Sequence, residues 1–141
     1  MRYKDTSLRE ERDYALFEAY SEALKTMKFS SQSEAIDYVC CHQAPRFFID
    51  GDFCALVIGR MLKGEPTGLR GKKRLKKYNE LLRLYLEEKA KPGNESLSKL
   101  KICHRIVLMP APEFYINSRA ASEIIKRQMI KRAKPLSRFL K

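Results

Sequence analysis

Two groups of side chains in this chain are suited by type and spacing to contact phosphates and base edges. The first is Arg70, Lys72, Lys73, Arg74, Lys76 and Lys77, with no acid among residues 70–77. The second is Asn117, Arg119, Ser122, Lys126, Arg127, Lys131, Arg132, Lys134 and Arg138, and from Lys126 to Lys141 there are seven basic residues and no acid. Lysine and arginine neutralise backbone phosphates, arginine can pair bidentately with guanine, and serine donates or accepts at bases and phosphates. Arg119, Ser122 and Lys126 fall at i, i+3 and i+7, on one side of a helix and away from Ala121, Ile124, Ile125 and Met129. That spacing predicts a reading face, on a helix capped by Asn117.

The charge around these groups is lopsided. The formal net charge is +12, yet residues 1–64 hold nine Lys/Arg against ten Asp/Glu and residues 65–141 hold twenty against seven. Dense basic runs without compensating acids attract a polyanion at long range, and nucleic acid is the commonest in a cell. DNA is favoured over RNA as the partner. Neither basic run is interleaved with aromatic residues, which argues against stacking on single strands.

Other chemistries find little support. The chain has no Gly-rich phosphate loop, no G-x-S-x-G elbow and no H-E-x-x-H, so no catalytic residues and no cofactor are expected. Cys41-His42 and Cys103-His104 are adjacent pairs, unlike the separated pairs of a zinc module, so no metal site is expected. No run of 18 apolar residues exists, and the N-terminus is charged from the start, which predicts a cytoplasmic protein with no membrane partner.

The elements that must position these residues come in two copies. Ala44 to Lys63, APRFFIDGDFCALVIGRMLK, returns 67 positions later as Ala111 to Ile130, APEFYINSRAASEIIKRQMI, with six of twenty positions identical. Opposite the cysteines Cys40, Cys41, Cys54 and Cys103 the other copy carries Val107, Leu108, Ala121 and Ile36, as expected of thiols that serve as small buried hydrophobes.

Helical spacing and capping residues give the unit. A long helix starts near Ser7 and ends by about Lys28, with Leu16, Phe17, Tyr20, Leu24 and Met27 as its apolar stripe. A short helix capped by Ser31 or Ser33 runs to about Cys41, and Asp50 caps a third from Asp52 to about Lys63, with Cys54, Val57, Ile58 and Leu62 inward. Gly64 to Gly68 is the hinge; the second copy then gives helices from about Gly71 to Lys89, from Ser98 to Leu108, and from Asn117 to Lys134, where Pro135 discourages more. The prediction is one all-α domain, residues 1–141, of about six helices with a pseudo-twofold axis. Repeat one spans about 7–64 and repeat two about 70–134, the segments 47–49 and 114–116 could pair as a very short ribbon, and residues 132–141 form a basic arm.

The stretch Lys99 to Leu108, then Met109 to Ile116, then Asn117-Ser-Arg-Ala-Ala-Ser-Glu-Ile-Ile-Lys resembles the helix-turn-helix family of DNA-binding proteins over about thirty residues of each copy. The resemblance implies that the second helix enters the major groove and meets base edges with its first residues. The connector here is about eight residues long and holds Pro110 and Pro112, so the angle between the two helices need not be the family's.

These readings converge on a non-enzymatic, double-stranded DNA-binding protein, a small regulator or accessory factor of a bacterial mobile element or phage. The alternative is an interaction or assembly module of a virion or nucleoprotein, virion-associated in that case. Its first repeat would then meet a protein partner or a second copy, and its basic half nucleic acid.

Overall fold

The fold is all-α. The computed structural model describes the backbone of residues 6–139 and the side chains of residues 8–132. Six helices follow one another: α1 (Thr6–Thr26), α2 (Gln32–Cys40), α3 (Gly51–Lys63), α4 (Lys72–Ala90), α5 (Lys99–Ile106) and α6 (Ser118–Phe139).

Among the described residues, polar side chains begin α2, α3, α5 and α6. Ser31 Oγ accepts from the Glu34 amide at 3.1 Å, Asp50 Oδ2 from Phe53 at 3.1 Å, Ser98 Oγ from Lys101 at 3.1 Å and Asn117 Oδ1 from Ala120 at 2.8 Å. Each bond satisfies one of the amides that the first helical turn leaves without a partner. Gly64, at φ 73, closes α3 in the left-handed region, where a residue with a Cβ would be strained.

The compact units do not coincide with the sequence repeats. One unit is Met1–Ala44 with Pro112–Lys141, and the other is Pro45–Ala111. In the first, α1, α2 and α6 pack together; in the second, α3, α4 and α5 do. Each unit therefore takes its long and short helices from one repeat and its third helix from the other.

The cores match at most positions, with Tyr78 of one unit standing where the other has the buried Asp13. In the unit of α3, α4 and α5, Cys54, Val57 and Ile58 meet Tyr78, Leu81, Tyr85, Ile102, Cys103 and Ile106 over the buried Phe47. In the other unit Ala121, Ile124 and Ile125 meet Leu16, Tyr20, Ala35, Ile36 and Val39, with Phe114 buried at the place of Phe47. The chain crosses between repeats at equivalent bonds: the Phe47 amide donates to the Val107 carbonyl at 3.0 Å, and the Phe114 amide to the Cys40 carbonyl at 3.4 Å.

Those two bonds also explain a difference from expectation. The segments 47–49 and 114–116 form no ribbon, and no strand occurs among the described residues. The amides of Phe47 and Phe114 bond to the ends of short helices instead. Four apolar residues expected inside, Leu24, Leu62, Met27 and Met129, are exposed. The buried stripe of α1 is Asp13, Leu16, Tyr20 and Ala23, which leaves Leu24 to one side, and Met27 lies past the helix end. Leu62 and Met129 sit beyond the reach of the short helices: α5, at about 12 Å, covers only the first turns of the roughly 20 Å α3.

Cys40, Cys54 and Cys103 are buried, but Cys41 is exposed, because it follows the last residue of α2. Cys54 and Cys103 lie thiol to thiol in one core, and their hydrogen bond together with burial pushes the Cys54 thiol well up. The last helix also differs from expectation. It continues through Pro135 to Phe139, so residues 132–139 are helical rather than an arm.

Candidate nucleic-acid interface

Folding redistributes the charge. The unit of α1, α2 and α6 holds fourteen Lys/Arg against ten Asp/Glu, a net of +4, and the unit of α3, α4 and α5 holds fifteen against seven, a net of +8. The acidic-leaning first repeat does not survive as a separate body, and both units are basic.

The first patch is the start of α4. Gly71 stands at its N-cap with φ 90 and offers no side-chain cap, and no acid lies in the first turn. The open amides and the positive end of the helix dipole thus coincide with Lys72, Lys73 and Arg74, an arrangement that costs about 0.3–1 kcal/mol per exposed cation unless an anion is nearby. Arg70, Lys72, Arg74 and Lys76 are exposed, and Lys73 and Lys77 are half-buried. Lys77 leans over the Tyr78 ring, 5.8 Å from its centroid, and burial pushes the Tyr78 phenol up. Farther along, Arg83 is held by Glu80 and Glu87, each at 2.6 Å.

The second patch is α6, and the structure sorts its predicted residues into three sets. Arg119, Lys126 and Arg127 are exposed. Helical spacing puts Glu123 between Arg119 and Lys126 on the same exposed side, a carboxylate legible in the sequence from its i+4 position. Glutamate can accept from the cytosine amino group, so it need not spoil a reading face.

Asn117 and Ser122 belong to the second set, turned toward structure. Asn117 is the cap, and Ser118 beside it donates from its hydroxyl to the Asp37 carboxylate. Ser122 is half-buried and lines a recess of about 140 Å³ with Gln32, Ser33, Ile36 and Ser118. It stands at the edge of the side that carries Arg119 and Lys126, partly withdrawn into that recess.

Lys131 and Arg132 form the third set, facing α1. The Arg132 guanidinium lies 4.8 Å from the Tyr14 ring centroid and 4.4 Å from that of Phe17, and Nη1 is 3.6 Å from Glu18. The side chains of Lys134 and Arg138 lie outside the described residues.

The chain matches no protein-family model, no curated protein and no solved structure. Among the described residues no three His, Cys, Asp or Glu side chains gather as metal ligands, and no helix is long and apolar enough to cross a membrane.

The nearest thing to a polar pair suited to proton transfer is His104 with Asp52, Nε2 to Oδ1 at 2.7 Å. Both are well exposed, and the pair ties α5 to the start of α3. Its equivalent in the other unit is Asp37 with Ser118, which ties α2 to the start of α6. The recurrence of the contact with different chemistry marks it as a helix-docking device.

Proposed function

We propose that this protein is a non-enzymatic DNA-binding protein, with affinity from phosphate contacts and any sequence preference from the open side of α6. The observation that carries the reading is the start of α4: an uncapped helix end, no acid in its first turn, and exposed Arg70, Lys72, Arg74 and Lys76. A fold tolerates such concentrated like charge most readily when a polyanion neutralises it. Arg119, Lys126 and Arg127 on α6 supply a second exposed basic surface.

The helix-turn-helix resemblance takes a modified form in this reading. The short helix packed against α6 is α2 rather than the sequence-adjacent α5, so a two-helix reader would be the discontinuous pair α2 and α6. A regulator or accessory factor of a mobile element or phage fits that role. Selection of bound duplexes from a random pool, followed by sequencing, tests it: an enriched sequence that disappears with Arg119→Ala supports base reading by α6, and binding without enrichment limits α6 to phosphate contacts.

The assembly reading has one observation in its favour. Phe53 and Leu56, at i and i+3 on α3, are exposed, an apolar patch that a protein partner could cover. Uniform binding to any duplex, together with self-association in sedimentation, would favour it.

A further inference from the structure

Tyr14 and Phe17 lie more than a hundred residues from Lys131 and Arg132 in the sequence, and the fold brings them together. Along α1, Glu10, Tyr14 and Phe17 recur at i, i+4 and i+7; along α6, Gln128, Lys131 and Arg132 recur at i, i+3 and i+4. The two helices pack in one compact unit, and Glu10, Tyr14, Gln128, Lys131 and Arg132 line a groove of about 370 Å³ between them.

Each lining group matches a part of a nucleotide. The Tyr14 side chain is 54% exposed, a large surface for an aromatic ring, and it offers a stacking face. The Arg132 guanidinium lies over the rings of Tyr14 and Phe17 and near the Glu18 carboxylate, and so forms a cationic wall on the α1 side. A glutamine amide carries one donor and one acceptor edge, the pair that adenine matches, and a carboxylate accepts from the amino groups of bases. Lys131 supplies a mobile charge at the groove edge for phosphate. Arg127, one turn before Lys131 on α6, is exposed and continues the charge along the helix.

We propose that this groove seats an unpaired base of a DNA strand, stacked on Tyr14, with its edge met by Gln128 and Glu10 and its phosphate by Lys131. The proposal rests on the nucleic-acid reading above and narrows it: the substrate offers at least one base outside a duplex, as an overhang, a junction or a single strand does. Within a duplex the base faces are covered by their neighbours, so Tyr14 has nothing to stack on. The groove is also separate from the side of α6 that carries Arg119, Glu123 and Lys126, so an unpaired base here does not compete with contacts there.

The test measures binding of the full chain to a labelled single strand and to the same strand in a blunt duplex, by fluorescence anisotropy at about 50 mM salt. Tyr14→Ala is expected to weaken single-strand binding by about tenfold or more while changing duplex binding by less than about twofold. Gln128→Ala should reduce the preference among homopolymer strands. Tyr14→Trp places the one tryptophan in a chain that has none. It should keep single-strand affinity, and its fluorescence should be quenched by the strand and not by the duplex.

Equal losses for both forms with Tyr14→Ala, or no loss for either, would overturn the groove while leaving the nucleic-acid reading in place. Binding of neither form by the parent chain would overturn both. Should Tyr14→Ala unfold the protein, the Tyr14→Trp quenching decides, and quenching by a mononucleotide at the same concentration as the strand would overturn the assignment to a DNA strand.

Discussion

The His104 ring occupies the space where a Cβ of Gly51 would stand. A side chain on Gly51 would run into His104 Nδ1, while Nε2 of the same ring holds Asp52 Oδ1 at 2.7 Å. One histidine thus uses the missing side chain of one residue and the carboxylate of the next to fix α5 on the start of α3. In the other unit a serine and an aspartate, Ser118 and Asp37, do the same work with no glycine needed.

Gly51→Ala should therefore destabilise the protein by about 1 kcal/mol, because the whole ring must turn away and give up Asp52. With His104→Ala already present, the same change should be neutral or stabilising by up to about 1 kcal/mol, since alanine has the better helix propensity. Denaturant unfolding of the two single variants and the double variant gives the coupling, and additive effects would contradict this packing.

Much of the local structure was legible. Ser31, Asp50, Ser98 and Asn117 begin helices where hydrogen-bonding side chains precede apolar periodicity, and every expected helix is present. The exchange of third helices was not legible. Because the copies are similar, the apolar face of α3 can match the short helix of either repeat, and nothing in the local pattern states which. The surroundings of Arg132 were hidden for the same reason. Its partners Tyr14, Phe17 and Glu18 lie at the opposite end of the chain, and a basic run read alone looks like free phosphate contacts.

The exchange predicts which fragments fold. Residues 45–111 hold α3, α4 and α5 with their whole shared core, so this contiguous piece should be helical and unfold cooperatively, though with the modest stability of a domain this small. Residues 1–64 hold α1 and α2 without α6, and α3 without α4 and α5, and should show no cooperative transition. Circular dichroism with urea unfolding distinguishes them, and the reverse outcome would return the units to the sequence repeats.

Phe47 is almost fully buried at the crossing from one repeat to the other. Phe47→Ala should cost about 3–5 kcal/mol, the range for removing a buried aromatic ring, while Leu56→Ala on the exposed side of α3 should change stability by about 0.5 kcal/mol or less. Thermal unfolding of the two variants checks the contrast.

Glu88 gives the fold a pH dependence. Its carboxylate meets Lys91 at 3.0 Å and Arg105 at 3.3 Å, and the bond to Lys91, then that to Arg105, outweighs burial and holds its pKa below the ordinary value. A carboxylate depressed in the folded state contributes stability above its unfolded pKa, and that contribution is lost as pH falls through the folded pKa. Glu88→Gln should be less stable than the parent at neutral pH, with the gap closing below about pH 4. A gap of constant size from pH 7 to pH 3 would mean that the ion pairs contribute nothing.

The most direct measurement is the salt dependence of DNA binding by the parent chain and by the charge-reversed variant Lys72→Glu/Arg74→Glu/Lys76→Glu. These exposed side chains lie outside the described core, so the variant should keep its helical content. The account predicts that the parent's affinity falls by about tenfold or more between 50 and 200 mM salt, and that the variant binds at least about tenfold more weakly at the lower salt with a shallower slope. Parent binding that ignores salt, or a variant that binds as the parent does, would contradict it.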